Sequence, residues 1–285
     1  MTQKIGFIGQ GWIGKNYADN FEKRGYEVIR YAMEEPHIQN RDKIKECDIV
    51  FIAVPTPSTP SGFDTSILRK VVPLIGKGKI AVIKSTLLPG TTESIQQENS
   101  EIFIMHSPEF LQESSAAYDA ANPNRNIVGF AVDNEEYKEK AKDVMNVLPY
   151  APYQLICPAK EAELIKYGGN CFLFFKIIFA NLFYDVADHM DIKWEYVRDA
   201  IAADPRIGRS HLDPVHQCGR GAGGHCFIKD FAAFIEIYKN KVGDEAGIKA
   251  LEALVEKNID LLVKSNKDLD LLRGVYGEEV EKFIK

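Results

Sequence analysis

Short apolar runs alternate with helix-type patterns in the first half of the chain. The runs typical of β-strands are Ile5–Ile8, Glu27–Tyr31, Ile49–Val54, Ile80–Lys84, Ile102–His106, Ile127–Val132 and Tyr153–Ile156. Apolar residues recur at helical spacing in Ile13–Arg24, Thr65–Leu74 and Glu135–Val147. Strands that alternate with helices predict a doubly wound α/β fold built on a parallel sheet. We expect this domain to cover residues 1–157.

The pattern changes after Pro158. From Ala159 to Met190 there is no proline, and apolar residues follow helical spacing at Leu164, Ile165, Phe172, Phe175, Ile178 and Phe179. This predicts one long helix, whose wide apolar face fits either a monomer core or a dimer seam. Three more helices are predicted at Trp194–Ala203, Phe227–Lys239 and Glu245–Val263. We therefore expect an all-helical domain over residues 158–285.

The composition narrows the class of protein. The chain has 285 residues, enough for about two domains, and its net charge of −6 argues against nucleic acid as the main partner. The first residues form no apolar signal stretch, and the most apolar segment, 171–183, is interrupted by Lys176 and Asn181. Five cysteines without a C-x-x-C pair fit a reducing compartment. We expect a cytoplasmic protein with no membrane partner.

A glycine-rich turn joins the first strand to the first helix. Its residues are Gly9, Gln10, Gly11, Trp12, Ile13 and Gly14. In this context the glycines allow a tight turn and close approach of a pyrophosphate to the helix N-terminus, so the turn predicts a Rossmann-like site for NAD or NADP. The second strand ends at Ala32 rather than at the usual acidic residue, and Arg30 is either a ligand of a 2′-phosphate or a solvated strand residue.

Three further motifs follow predicted strands. They are Val54-Pro55-Thr56-Pro57, the segment Lys84-Ser85-Thr86-Leu87-Leu88-Pro89-Gly90-Thr91-Thr92, and Ser107-Pro108-Glu109-Phe110-Leu111. The carboxyl ends of strands form the ligand side of an open α/β sheet. We therefore expect the cofactor to contact Val54, Pro55, Thr56, Ser85 and Thr86.

A second glycine-rich segment delivers a cysteine to a predicted helix start. It reads Gly219-Arg220-Gly221-Ala222-Gly223-Gly224-His225-Cys226-Phe227-Ile228-Lys229-Asp230. A helix N-terminus and a nearby lysine both favour a thiolate, so Cys226 is the candidate nucleophile, whereas we expect Cys47, Cys157 and Cys171 to be buried. The spacing of His216, Cys218, His225 and Cys226 matches no common zinc site, and we expect no metal.

Taken in order, these motifs resemble the nucleotide-sugar dehydrogenases, the family of the UDP-glucose and GDP-mannose 6-dehydrogenases. The resemblance runs from Lys4 to about Phe234 and includes the segments 163–170 and 206–208. It implies an NAD-dependent enzyme that oxidises a primary alcohol to a carboxylate, with a nucleotide sugar as its small-molecule substrate and a homodimeric assembly. The family normally carries a further α/β domain after the helices, so the resemblance also implies a short form.

The resemblance implies a role for each candidate site residue. Cys226 would be the nucleophile, and Lys166 and Asn170 the pair that stabilises the oxyanion. Thr86, Glu109 and Asp230 would position water and handle protons, and Lys229 would lie near the cofactor phosphates. Substrate contacts would come from Glu109, Phe110, Leu111, Lys166, Asn170 and Gly223, with Arg206 reaching the site of a partner subunit. The residue chemistry agrees, because residues 166 and 170 share one face of a helix.

Two other functions remain open at this point. A Rossmann-like domain followed by helices also resembles the β-hydroxyacid dehydrogenases, which oxidise once and need no cysteine. A non-catalytic nucleotide-binding protein could retain the same scaffold. The complete set of candidate residues favours the two-step oxidation, and two reduced cofactors per substrate would distinguish it from a single oxidation.

Overall fold

The computed structural model describes residues 3–59, 62–217 and 219–282. The chain divides into two compact units, one of Met1–Pro57 with Asp64–Lys166 and one of Ser58–Phe63 with Tyr167–Lys285. The sequence places the domain boundary after residue 157, whereas this division falls inside the long helix that begins at Ala159. We call the two parts unit 1 and unit 2.

A seven-stranded sheet forms the centre of unit 1. Its strands are β1 (Ile5–Ile8), β2 (Val28–Tyr31), β3 (Ile49–Ile52), β4 (Ile80–Ile83), β5 (Phe103–His106), β6 (Arg125–Phe130) and β7 (Tyr153–Pro158). They lie in the order β2-β1-β3-β4-β5-β6-β7, and β1 to β5 are mutually parallel. Every residue of β1, β3 and β4 is buried, which explains why these strands read as unbroken apolar runs. The predicted doubly wound sheet is thereby confirmed.

One strand pairing differs from the predicted parallel sheet. β5 and β6 are antiparallel, with Met105 opposite Phe130 and His106 opposite Gly129, while β6 and β7 are again parallel. The sequence gives no sign of this reversal, because a buried apolar run looks the same in both directions. As a result, the amino end of β6 lies at the edge where β1 to β5 have their carboxyl ends.

Helices cover the sheet of unit 1. They are α1 (Trp12–Lys23), α2 (Ser66–Val71), α3 (Thr91–Glu98), α4 (Ala116–Ala121) and α5 (Glu135–Val147), with 3₁₀ segments at Ile38–Glu46, Val72–Leu74 and Glu113–Ser115. α1 packs Phe21 against Phe7 and Phe51, with ring centroids 5.2 to 5.4 Å apart. The sequence analysis misses α3, α4 and the segment Ile38–Glu46, since short helices present too few turns to show a period.

Unit 2 is helical apart from two short hairpins. Its helices are most of α6 (Ala159–His189), α7 (Trp194–Ala202), α8 (Gly224–Lys241), α9 (Glu245–Lys264) and α10 (Leu269–Tyr276), and the hairpins pair Ser58–Thr59 with Gly62–Phe63 and Val215–His216 with Gly219–Arg220. The four predicted helices are present, and α10 is an addition. α8 begins at Gly224 instead of Phe227, so its first turn includes Cys226.

Among the described residues, α6 is the single helix long and apolar enough to cross a membrane, with a mean hydropathy of 1.4 in its most apolar window. Core helices of proteins outside membranes have the same length and composition. Within unit 2, Lys176 of α6 donates to the carbonyls of Ile207 and Gly208, and Asp185 accepts from Arg220 and Lys257. Charged groups are costly in a bilayer, so these contacts favour a helix packed in the protein. The absence of a membrane partner stays a prediction.

A buried carboxylate fixes the start of α6 within unit 1. Glu163 accepts hydrogen bonds from the backbone nitrogens of Gly90 at 2.5 Å and Thr92 at 2.8 Å, and from Thr92 Oγ1 at 2.6 Å. Burial raises the pKa of Glu163, although these donors oppose the shift. The acceptor lies at the N-terminus of α3, where backbone N–H groups have no partner within the helix. Glu163 therefore joins α6 to the loop after β4.

We expect Glu163→Ala to lower the free energy of unfolding by about 3 kcal/mol, because three buried donors lose their acceptor. The control is Glu161→Ala, which removes an exposed carboxylate from the same helix and should change stability by less than about 0.5 kcal/mol. Urea denaturation of both variants and the wild type measures the difference. Equal midpoints for the two variants would contradict the anchoring role.

Candidate active site

The glycine-rich turn has two structural glycines and one that faces open space. A Cβ at Gly9, where φ is +89°, would lie 2.2 Å from the carbonyl oxygen of Ala53, and a Cβ at Gly14 would lie 2.0 Å from that of Gly9. At Gly11 no described atom lies within 4 Å of the same position. Gly11 is also the N-cap of α1, whose first turn has no side-chain cap and no acidic residue. This space at a helix N-terminus fits a pyrophosphate.

The other residues of the turn are placed around it. Gln10 donates from Nε2 to the carbonyl oxygen of Gly9 at 3.1 Å, and the Trp12 side chain is exposed at the start of α1. Ile13 packs against the apolar core of the sheet. Trp12 is therefore at the turn surface and Gln10 is partly buried, whereas the Ile13 side chain packs in the core.

The charge of Arg30 is already neutralised within unit 1. Its guanidinium is 2.7 Å from both Asp19 and Glu22, two carboxylates of α1. An arginine held by two carboxylates attracts a further phosphate only weakly. Ala32 stands directly after β2, where an acidic residue is usual, and the guanidinium of Arg30 is already paired.

The loops after β3 and β4 are bonded to each other. Ser85 Oγ donates to the carbonyl oxygen of Val54 at 2.6 Å and accepts from its nitrogen at 3.1 Å, and Thr56 Oγ1 donates to the carbonyl oxygen of Thr86 at 2.8 Å. The side chains of Ser85 and Thr56 are buried, while Pro55 is exposed and Thr86 partly so. The buried pair sets the shape of this edge, and Pro55 and Thr86 form its accessible surface.

Glu109 is the centre of a buried polar cluster in unit 1. Its Oε1 accepts from the backbone nitrogens of Phe110 at 2.6 Å and Leu111 at 2.8 Å, and its Oε2 lies 3.3 Å from Lys84 Nζ. Lys166 Nζ donates to the carbonyl oxygen of Glu109 at 2.5 Å. The structure thus brings together two of the predicted residues, Glu109 and Lys166, and adds Lys84, which the sequence analysis assigned no role.

Two cationic side chains lie near the Phe110 ring. The Arg125 guanidinium carbon lies 3.9 Å from the ring centroid, and Lys166 Nζ lies 5.6 Å from it. Arg125 reaches Phe110 because β6 runs antiparallel to β5 and begins at this edge. Sequence reasoning missed Arg125 for the same reason that it missed the reversal.

In unit 2, the cysteine loop is held by residues from α9 and the turn before α10. Asn258 accepts from the Ala222 nitrogen at 2.7 Å and donates to its carbonyl oxygen at 3.0 Å, and Asp268 Oδ2 accepts from the Gly224 nitrogen at 2.7 Å. A Cβ at Gly223 would come within 2.0 Å of that same Asp268 oxygen. The loop is therefore held by these three hydrogen bonds, and a side chain at position 223 would displace the Asp268 carboxylate that forms one of them.

The cysteines differ sharply in exposure. Cys226 is exposed in the first turn of α8, whereas burial raises the pKa of Cys47 and of Cys171 to about 12. The prediction that Cys47 and Cys171 are buried is confirmed. Cys157 is only partly buried, because β7 is the edge strand of the sheet, and burial raises its pKa to about 11. Cys218 lies outside the described residues.

Asp230 is held between two predicted site residues of unit 2. It is 1% exposed; its Oδ2 accepts from Asn170 Nδ2 at 2.5 Å, and its Oδ1 is paired with Lys229. Arg206, by contrast, is exposed and paired with Asp204. Within the described part of the chain, no group of three or more histidine, cysteine and acidic residues is arranged to hold a metal ion.

Family models match most of the chain. Residues 37–148 match the NAD binding domain of the UDP-glucose/GDP-mannose dehydrogenase family, and residues 160–259 match the central domain of that family. The first match begins after the glycine-rich turn, so the geometry at Gly11 is evidence independent of it.

This chain is also similar to individual proteins, in sequence or in structure. UDP-glucose 6-dehydrogenase TuaD of Bacillus subtilis is 33% identical over 304 residues, covering 90% of this chain and 63% of the relative. The structure of a UDP-glucose dehydrogenase from Pyrobaculum islandicum is 25% identical with a TM-score of 0.78, over 100% of this chain and 79% of that one. A 3-hydroxyisobutyrate dehydrogenase of Mycobacterium tuberculosis shares the fold alone, at 16% identity and a TM-score of 0.70 over 97% of this chain and 99% of that one.

The chain spans only part of its curated relatives, between 37% and 63% of their length.

We expect Gly11→Val to weaken NAD binding at least about tenfold, because the side chain fills the space left for the pyrophosphate. The free energy of unfolding should change by less than about 0.5 kcal/mol, since no described atom lies near the new side chain. Titration calorimetry and urea denaturation measure the two quantities.

Gly14→Ala is the matched control, because its Cβ would collide with the Gly9 carbonyl oxygen and should destabilise the fold as well as weaken binding. Wild-type affinity in a folded Gly11→Val protein would show that the cofactor phosphates bind elsewhere.

Proposed function

Because the chain belongs to the UDP-glucose/GDP-mannose dehydrogenase family, we propose that it oxidises the primary alcohol of a nucleotide sugar to a carboxylate with NAD. The exposure and position of one cysteine support the proposal of a two-step oxidation. Of the four described cysteines, only Cys226 is exposed, and it lies in the first turn of a helix behind a loop fixed by Asn258 and Asp268. A structural cysteine needs none of these features.

NAD fits the residues at the carboxyl edge of the sheet. The turn at Gly11 would hold its pyrophosphate, the loops at Pro55 and Thr86 would line its site, and Lys229 would stay near its phosphates. When bound, NAD accepts a hydride in each of the two oxidation steps. Since Arg30 is neutralised by two carboxylates, it gives no support for NADP.

Cys226 acts after the alcohol has become an aldehyde. Its thiolate, stabilised by the N-terminus of α8, adds to the aldehyde carbon and forms a thiohemiacetal, which prevents release of the aldehyde. Loss of the second hydride from that carbon leaves a thioester on Sγ. Water then attacks the thioester carbon, the C–S bond breaks, and the carboxylate product leaves with the thiol regenerated.

The remaining residues supply charge and protons. Lys166 and Asn170 lie one turn apart on α6 and donate to the oxygen of the reacting carbon as negative charge develops there. The Asn170 amide has two N–H donors, and the bond to Asp230 uses one of them. Asp230 or Glu109 accepts a proton from the attacking water, and Thr86 orients that water.

The substrate segment after β5 is rigid. The backbone nitrogens of Phe110 and Leu111 are occupied by Glu109, and the Phe110 ring contacts Arg125. We propose that the sugar contacts this segment. Gly223 of the cysteine loop is a proposed substrate contact in unit 2.

The alternative is a single oxidation in which Lys166 is the acid and base. The fold likeness to 3-hydroxyisobutyrate dehydrogenase over nearly the whole of both chains supports it. It leaves the exposure of Cys226 and the fixed loop before it without a function. A third possibility, a non-catalytic nucleotide-binding protein, predicts no turnover with any alcohol.

We further propose a cytoplasmic homodimer formed through α6. Exposed apolar residues of α6 lie three or four positions apart at Phe172, Phe175, Phe179, Phe183 and Val186, with Leu182 beside Phe183, and Met190 after the helix continues the row. Exposed apolar rows of this size usually mark an interface. In such a dimer, Arg206 would be free to exchange Asp204 for an anionic group in the partner's site.

For Cys226→Ser we expect loss of the second oxidation. The wild type should form two NADH per nucleotide sugar, whereas the variant should slow by at least about a hundredfold and release aldehyde, because a serine hydroxyl is a poor nucleophile without a base. Product analysis with a panel of UDP- and GDP-sugars measures both. Full turnover with unchanged stoichiometry would remove the thiol from the mechanism.

Asp230→Asn distinguishes trapping from hydrolysis. If Asp230 activates water, the thioester accumulates in this variant and appears as a mass increase on the peptide that contains Cys226. Cys171→Ser, a change at a buried cysteine of the same unit, should keep the two-NADH stoichiometry.

For the dimer, the variant is Phe179→Glu, which places a charge in the middle of the apolar row. We expect it to be monomeric at micromolar concentration, where the wild type is dimeric, because a buried unpaired charge opposes association. Light scattering measures the mass, and circular dichroism checks the fold. Tyr150→Glu, at an exposed aromatic residue of unit 1, is the control; a monomeric wild type would refute the proposal.

A further inference from the structure

Lys84 is a buried charge with no part in the chemistry described above. It follows β4 directly and is 3% exposed, and burial lowers its pKa. Buried lysines are rare unless a partner compensates the charge. All of its described contacts lie within unit 1.

Lys84 lies close to Glu109 and to two other side chains. Lys84 Nζ lies 3.3 Å from Glu109 Oε2, 3.4 Å from Ser107 Oγ and 4.4 Å from the ring centroid of Tyr17. The ring supplies a second favourable surface for the ammonium group. Lys84 is thus fixed by groups from α1 and from the loop after β5.

The carboxylate of Glu109 is constrained on both oxygens. Oε1 accepts from the backbone nitrogens of Phe110 and Leu111, and the Lys84 ammonium group forms an ion pair with Oε2. The Tyr17 hydroxyl also interacts with the Glu109 side chain. Without Lys84, a buried carboxylate with only neutral donors would favour its protonated form.

We propose that Lys84 is a positioning residue that keeps Glu109 ionised and oriented to accept a proton from substrate or water. The inference rests on the proposed function, in which Glu109 handles protons. In this proposal Lys84 acts on the reaction through Glu109 and does not contact the substrate.

The other titratable groups around Glu109 do not replace this charge. Burial, together with the nearby Lys84 charge, lowers the pKa of His106 to about 3, so the imidazole is neutral at physiological pH. Burial and the Glu109 carboxylate raise the pKa of Tyr17 well above its ordinary value, and Asp119 adds to that shift. Lys166 faces the carbonyl oxygen of Glu109, not its carboxylate. Removing Lys84 therefore removes the cation that is paired directly with the carboxylate, and Lys166 remains as the second cation of the cluster.

The test compares Lys84→Met with Lys79→Met in the full chain. Lys79 precedes β4 and pairs with Asp48, so Lys79→Met deletes the same charge at the opposite end of the same strand. Carboxyl NMR of protein labelled with ¹³C-glutamate follows the titration of Glu109, whose signal is identified by its loss in Glu109→Gln. The pH profile of kcat is the second readout.

In Lys84→Met we expect the Glu109 carboxyl to titrate at a pH higher by about one unit or more than in the wild type. The acidic limb of kcat should move upward by a similar amount. Lys79→Met should leave both curves in place, and Lys84→Arg should restore most of the effect because it keeps the charge. An unchanged Glu109 titration in folded Lys84→Met would overturn the proposal.

Two further outcomes remain informative. If Lys84→Met does not fold, the double variant Lys84→Met/Glu109→Gln decides: recovery of the fold shows that the two charges depend on each other, whereas failure of the double variant beside a folded Glu109→Gln makes Lys84 a packing residue and overturns the proposal. If no nucleotide sugar is oxidised, the proposed function fails, but the NMR titration still tests the effect of Lys84 on Glu109.

Discussion

Charge buried at the carboxyl edge of the sheet is the constraint on which the arrangement of unit 1 depends. A carboxylate beneath a protein surface is stable only if donors or cations surround it. Glu109 meets this requirement through two backbone nitrogens and Lys84, and Glu163 meets it through Gly90 and Thr92. The two acids therefore fix the loops after β4 and β5 and the start of α6. A ligand at this edge encounters polar groups whose positions are already set.

In unit 2, neutral and acidic side chains from later in the chain fix the backbone of the cysteine loop. Its backbone is bonded by Asn258 and Asp268, which lie more than thirty residues later in the chain. These bonds orient the first turn of α8, so the exposure of Cys226 is maintained by residues outside the reaction. The loop geometry is thus set by contacts with α9 and with the turn before α10.

The sequence predicts those features of the structure that depend on residues close to each other in the chain. The strands and long helices repeat their apolar residues with a clear period, and the Gly9–Gly14 turn carries its own signal, so both were predicted. The reversal of β6 has no such signal, and it brings Arg125 to Phe110. Asn258, Asp268 and Lys84 act through contacts distant in sequence. A lysine after a strand usually extends to solvent, so its burial could not be predicted.

The fold by itself does not decide between one oxidation and two. The likeness to 3-hydroxyisobutyrate dehydrogenase covers nearly all of both chains and shows that the fold is common to the two proteins. A second oxidation requires one additional nucleophile and one group that activates water, and neither alters the sheet or the long helix. In the proposed mechanism these two groups are Cys226 with its fixed loop and Asp230, which is held between Asn170 and Lys229. The proposed second oxidation therefore depends on a small number of local side chains and not on the architecture around them.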